Sequence, residues 1–375
     1  MRTSNFIHLI KTHLKNIPGW KTSRKIVVLE SDDWGMIRMA SKEAFLKLKN
    51  KGFPVENSVY NTFDALESNT DLENLAEILL SVKDSHGHPA KFTVNNIVGN
   101  PDFKKIKESQ FENYFYESFV ETLRRHTNSD RVLDLYKQGI NEGVFQPQFH
   151  GREHVQINNW FTKLKKGDVL FSEAFSEGMF TLNDEKGMSS KAECLDSFAV
   201  YATEDKEVID NSLKEGTELF KRIWGFASKT IIAPCYTWHP DLEKVFYTLG
   251  IEAIQGAGFQ RIPLVADEKK LNKRHFVGEK SRDGLTYLTR NVYFEPVENQ
   301  HKDWVNTALS EVSTAFFYSK PAIISTHRVN YIGSIDVKNR ERNLKFLLQL
   351  LNAIVKKYPS VEFMSSDQLS DLIRK

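Results

Sequence analysis

The chain has 375 residues, with 51 Lys and Arg against 49 Asp and Glu, a formal net charge of +2, and 40% hydrophobic and 27% charged residues. This balance excludes a wholly disordered chain, a collagen and a disulfide scaffold, and leaves no electrostatic footprint for nucleic acid. The length suits two to three domains of ~150 residues or one α/β barrel, either with a large core.

In chain order, Met1 to Trp20 alternates apolar and basic residues. It lacks a continuous apolar stretch and a small-residue cleavage site, so no secretory signal is expected. Phe6, Leu9, Ile10 and Leu14 fall on one face of a short helix, expected to pack on the domain, with a membrane-surface helix as the alternative. Lys25 to Glu30 is the first strand, ending in Ser31-Asp-Asp-Trp-Gly35. Helices follow over Lys42 to Lys51 and Asp71 to Val82, then a strand over Ala90 to Val94. Phe111 to Arg124 and Asp130 to Gly139 read as helices, and Gly143 to Phe149 as a strand despite Pro147.

Residues 164–205 have weak periodicity and read as an insertion. Lys206 to Trp224 is a helix, Lys229 to Ala233 a strand, Asp241 to Leu249 a helix closed by Gly250, and Ile251 to Ile254 a strand. Residues 260–284 form a second excursion. Its polar part, Ala266 to Gly284, carries Lys269, Lys270, Lys273, Arg274, Lys280 and Arg282, with an anionic-ligand site as the alternative to a solvated loop. Leu285 to Phe294, Pro321 to Ser325 and Val361 to Met364 are strands. Val305 to Tyr318, Arg340 to Lys357 and Gln368 to Arg374 are helices. Strands alternating with helices throughout predict a mostly parallel α/β sheet, open or closed into a barrel. No run of about 18 apolar residues predicts a transmembrane helix. Two cysteines, Cys194 and Cys235, fit a reducing compartment better than a disulfide framework.

Ligand chemistry in such sheets gathers at the carboxyl ends of strands. Asp32, Asp33 and Trp34 follow the first strand, and His150 and His154 the third. Cys235, Tyr236, Trp238 and His239 follow Ile231-Ile232, and His327 follows Ile323-Ile324. Glu295 follows the strand that contains Arg290. If the chain turns helical at His150-Gly-Arg-Glu-His154, the two imidazoles share a face and a metal. Asp32 and Asp33 point in different directions from an extended backbone, so one can bind a metal while the other faces the reacting water. Trp34 and Trp238 suit either the core or a sugar-stacking wall.

Taken in order, SDDWG at 31–35, AKFTV at 90–94, HGREH at 150–154, APCYTWHP at 233–240 and IISTH at 323–327 resemble the polysaccharide deacetylase (NodB-homology) family. The resemblance spans roughly residues 25 to 370. It implies one distorted (β/α) barrel domain of about seven parallel strands over residues 1–375, and metal-dependent removal of an acyl group, N-acetyl first, from a carbohydrate. It further implies that Asp33, His150 and His154 hold one divalent metal, zinc first, with iron, cobalt or nickel as alternatives. Asp32 would be the general base and His327, as imidazolium, the general acid. A backbone N–H near Cys235 or Tyr236 would face the oxyanion. Trp34, Tyr236, Trp238, His239 and Arg290 would contact substrate.

The sequence departs from the family at three places. Ile232 stands where an Arg orients the base, Gly151 replaces a Ser or Thr, and Trp34 is inserted before Gly35. Arg290 and Arg152 are candidate replacements for the Arg. Three other readings compete: a non-catalytic glycan-binding barrel, a hydrolase of another C–N bond such as a formamide or cyclic amide, and an H-x-x-E-H metalloprotease with Glu153 as base. A cytoplasmic location, or one peripheral to the membrane, is expected. It would suit a nucleotide- or lipid-linked sugar in surface polysaccharide biosynthesis.

Overall fold

The computed structural model of the chain describes residues 10–182, 191–263 and 270–375. Among the described residues thirteen strands succeed one another: β1 Lys25–Trp34, β2 Phe92–Ile97, β3 Gly99–Pro101, β4 Tyr116–Ser118, β5 Phe145–Gly151, β6 Thr230–Ile232 and β7 Ala253–Gly256, then β8 Phe259–Pro263, β9 Lys270–Arg274, β10 Thr286–Thr289, β11 Val292–Tyr293, β12 Ala322–His327 and β13 Val361–Met364. The main sheet runs β10-β7-β6-β5-β2-β1-β12-β11, and β13 pairs beside the start of β1. Every pairing within it is parallel. In a parallel sheet that curls, one face meets helices and the other the interior, so both are buried. Accordingly Ile26 to Trp34 are buried without alternation.

The ends of this path are consecutive in the chain, with only Arg290 and Asn291 between β10 and β11. Arg290 N donates to Gly256 O on β7 at 2.8 Å, and Asn291 N donates to Ile323 O on β12 at 3.1 Å. The sheet therefore curls back on itself as a distorted (β/α) barrel, the fold class expected from the sequence. The single strand expected over Leu285 to Phe294 breaks at these two residues, because its halves pair with different neighbours.

The expected helices appear with shifted ends, as Lys42–Asn50, Asn69–Ser81, Val132–Asn141, Asp205–Trp224, Leu242–Thr248, Trp304–Phe317, Val337–Lys357 and Ser366–Arg374. Ser68 and Asp71 form a capping box on the second of these, which explains its early start. The helix expected over Phe111 to Arg124 shortens to Phe119–Arg125, since Gln110 and Phe111 adopt positive φ and Tyr116–Ser118 becomes β4. Pro147 is tolerated in β5 because that strand meets β6 only at Phe149, leaving no ladder bond for the missing N–H.

Within 260–284, β8 and β9 form an antiparallel hairpin, and Ala266 and Lys269 lie outside the described residues. Residues 164–205 hold the helix Val169–Ser176, with 183–190 likewise outside. Phe6 and Leu9 also lie outside, but residues 10–15 are helical. Their inward residue is Thr12, while Ile10 and Leu14 are exposed, so those two do not pack on the domain as expected. Among the described residues no helix is long and apolar enough to cross a membrane.

Candidate metal centre and acid–base cleft

Two irregularities at strand ends build the site. Along β1, Ser31 pairs with Val94 but Trp34 with Asn96, so β1 carries one extra residue, a bulge at Asp32-Asp33. Asp33 sits in the left-handed region at φ 75, a conformation an L-residue other than Gly adopts at a cost of roughly 1–2 kcal/mol. An extended backbone would send neighbouring side chains to opposite faces. The bulge instead lets both carboxylates line one cleft. On β5, Asn96 pairs with Phe149 but Ile97 with Gly151, a second bulge at His150. Gly151 takes φ 126, where a Cβ would be strained. The chain from 152 to 156 is irregular and a helix begins only at Ile157, so the His pair is not on a helix as its spacing suggested. The bulge and loop bring the rings together instead, with centroids 5.2 Å apart.

Asp33, His150 and His154 converge, with one candidate ligand atom from each within 4.8 Å of the others. His150 Nδ1 lies 2.9 Å from Ile232 O, so it carries the proton and donates. Nε2 is left as a lone pair 3.3 Å from Asp33 Oδ1. His154 Nε2 is 3.6 Å from the same oxygen, and its buried Nδ1 has no partner. Burial drives His154 down to about 4, against the opposing pull of Asp33, so it is a neutral imidazole at neutral pH. Burial would raise Asp33, but the imidazole side chains around it, His150 first and then His154 and His327, hold it well below the usual carboxylate range. A carboxylate and two imidazole lone pairs aimed at one point, with an orphaned ring nitrogen, fit a divalent cation.

Asp32 is held differently. Arg290 grips both oxygens, Nη1 on Oδ2 at 2.7 Å and Nη2 on Oδ1 at 2.6 Å, and Asn95 Nδ2 donates to Oδ1 at 2.7 Å. Arg290 Nε reaches Glu30 at 2.6 Å. Arg290 thus supplies, from the break between β10 and β11, the bidentate grip that Ile232 cannot. Arg152 is engaged elsewhere, by Glu153 and Glu215. Burial would raise Asp32, but the Arg290 charge and its hydrogen bonds, then His327 and His150, bring it down to about 2.

His327 Nε2 lies 3.6 Å from Asp32 Oδ2, and its Nδ1 is 2.6 Å from Glu295 Oε1. Asn330 donates to the other Glu295 oxygen at 2.6 Å. Burial disfavours the charged ring, but Glu295, Asp32 and Asp33 outweigh it and hold His327 protonated well above its ordinary range. Tyr60, Arg38, Met36 and Tyr236 complete a cleft of about 190 Å³. That is below the ~300–1,000 Å³ of drug-sized pockets, and suits the end of a substituent. Cys235 and Tyr236 both take positive φ at the lip. Tyr236 N donates to Ala233 O at 2.9 Å, so that N–H does not face an oxyanion.

The other residues with expected substrate roles separate. Trp34 is fully buried, its Nε1 on Ser31 and its ring against Tyr136, so it offers no face to a sugar. Trp238 is buried with Nε1 on Glu243. His239 is partly exposed beside Asp241 and does not line the cleft. Arg290 stands behind Asp32. Glu153 is held by Arg152 and by Ser212 at 2.8 Å, away from the cleft, where a protease base cannot act. Glu295 and Asn95 carry no sequence signal beyond their places at strand ends, and Arg38 and Tyr60 carry none.

No protein-family model matches this sequence, nor does any curated protein. Solved structures with a similar chain path include a protein assigned as a polysaccharide deacetylase from Mycobacterium smegmatis, at 13% identity and TM-score 0.42 over 95% of this chain and 93% of that one. A family 4 acetyl xylan esterase from Clostridium thermocellum, in complex with a cobalt ion, has 10% identity and TM-score 0.35 over 92% and 91%. A 4-alpha-glucanotransferase from Thermococcus litoralis has 13% identity and TM-score 0.43 over 92% of this chain but 40% of its own. Likenesses of this size assign no chemistry to the present chain.

Proposed function

We propose that the chain is a metal-dependent hydrolase that removes an acyl group, N-acetyl first, from a carbohydrate, with a nucleotide- or lipid-linked sugar of surface polysaccharide assembly as the substrate class. One observation carries the reading. The Asp33, His150 and His154 cluster opens into the same small cleft as an ionised Asp32 and a protonated His327. Bound by that cluster, a divalent ion, zinc first, supplies a Lewis acid for a carbonyl oxygen and acidifies a water. The carbohydrate class comes from the motif resemblance.

Asp32 is the proton acceptor. A carboxylate offers about four acceptor sites. Arg290 and Asn95 occupy three of them, leaving one on Oδ2, the oxygen that His327 approaches. Held at about 2, it is always ionised near neutrality but weakly basic, so it needs an acidified water as its proton source. His327 Nε2 delivers a proton to the leaving nitrogen, while Glu295 fixes the ring through Nδ1. The narrow cleft admits the acyl group and leaves the sugar at the lip beside Tyr236.

Acetate release from free, nucleotide-linked and oligomeric N-acetyl sugars, with a formamide and a cyclic amide alongside, tests the proposal. Acetate and free amine appearing in equal amounts, and lost in Asp32→Asn and His327→Ala, is the expected result. Carbohydrate binding without acyl release under any metal would replace it with the binding-protein reading.

A further inference from the structure

We propose that a second cavity, of about 510 Å³, binds a phosphate-bearing ligand. It lies between the helix at 10–15 and the β8–β9 hairpin, and Arg290 and Asn291 contribute to its wall. Five cationic residues line it, Lys11, Lys15, Arg274, Arg290 and Lys320, and among the described residues no Asp or Glu does. A concave wall of one sign concentrates counter-ions.

Two of these cations are already engaged. Arg290 is neutralised by Glu30 and Asp32. Lys320 is 1% exposed, and its Nζ donates to Gly19 O at 2.5 Å and Trp20 O at 2.9 Å, which are carbonyls and not carboxylates. An ammonium has three donors, so one remains for a ligand. Burial lowers Lys320 to about 8, and an anion beside it would reverse that shift. Lys11 and Arg274 are exposed and make no ion pair among the described residues. Glu311 is the carboxylate whose charge reaches Lys15.

Cations entering from three separate elements suit a group with several charged oxygens. An Arg fork and Lys point charges together match phosphate better than a single carboxylate. Exposed Leu14 and Phe259 lie at the same cavity and give the remainder of such a ligand, a base or an acyl chain, an apolar surface. This site needs neither the metal centre nor turnover, so it stands or falls separately from the hydrolase reading.

The test measures inorganic pyrophosphate binding to the full chain by calorimetry at low salt, in the wild type, in the surface double variant Lys11→Gln/Arg274→Gln and in Lys320→Met, with melting curves as folding controls. Saturable sub-millimolar binding that weakens about tenfold or more in the double variant is expected. No saturation, or equal affinity in a folded double variant, overturns the proposal. UDP and vesicles of phosphatidylcholine with or without phosphatidylglycerol separate the sources. UDP binding without sedimentation supports a soluble nucleotide. Sedimentation that requires phosphatidylglycerol and is lost in the double variant supports a lipid headgroup. Sedimentation without pyrophosphate saturation contradicts the cavity, because a charged surface alone would explain it.

Discussion

Replacing Arg290 with Met keeps much of the side-chain volume and removes one charge from between two buried carboxylates. Glu30 is fully buried and Asp32 is 3% exposed, and both accept from this guanidinium. Breaking a buried ion pair from one side costs about 3–5 kcal/mol. Asp32 gives an independent figure. Its displacement from 3.8 to about 2 corresponds to roughly 2 kcal/mol of stability, because its folded pKa is depressed. That contribution is complete above pH ~4 and is lost as pH falls toward 2. Without Arg290, the largest opposition to burial is lost and Asp32 rises, with only His327, His150 and the Asn95 hydrogen bond left to hold it down, as burial already raises Glu30. Acidification to pH ~4 then relieves the variant, while the Asp32 contribution in the wild type stays nearly complete. Urea unfolding followed by circular dichroism at pH 7, 5 and 4 should show a deficit of about 3–5 kcal/mol at pH 7 that narrows with acid. A deficit below about 1 kcal/mol, or one of the same size at every pH, would refute this reasoning.

The remaining predictions concern the acid, the metal loop and the backbone. The rate should fall in the alkaline range as His327 loses its proton, and Glu295→Gln should move that limb to lower pH; a limb unmoved in the pH profile removes Glu295 from this role. Glu153→Gln should leave acetate release per folded molecule largely intact, since Glu153 serves Arg152 and Ser212; abolished activity in a folded variant would restore the protease reading. Gly35→Ala should cost about 2–4 kcal/mol, because the new Cβ would lie 2.4 Å from Ile97 O at φ +85, whereas Gly52→Ala, at φ +84 in open space, should cost only about 1–2 kcal/mol. Thermal melts compare the two, and equal losses would show that the contact is not the cause.

Much of the barrel is legible because buried parallel strands read as short apolar runs, and because polar residues in such sheets gather where those runs end. Asp33, His150 and His154 are found that way. How they meet is not, since it rests on two bulges and on a left-handed Asp, where an L-residue other than Gly gives no turn signal. Arg290 lies 258 residues from Asp32 in sequence, and only closure of the barrel between β10 and β11 places it there. Trp34 and Trp238 read equally as core or as sugar wall until Ser31 and Glu243 are seen to take their indole N–H groups. The shortened helix before Arg125 fails for a local reason, positive φ at Gln110 and Phe111, residue types that do not announce it.

The most direct test of the central claim is the divalent metal content of protein purified without added metal or a metal-binding tag, beside His150→Ala. About one zinc, iron, cobalt or nickel per chain, lost in the variant, is the predicted result. No metal in the wild type, even after incubation with these ions, would contradict it.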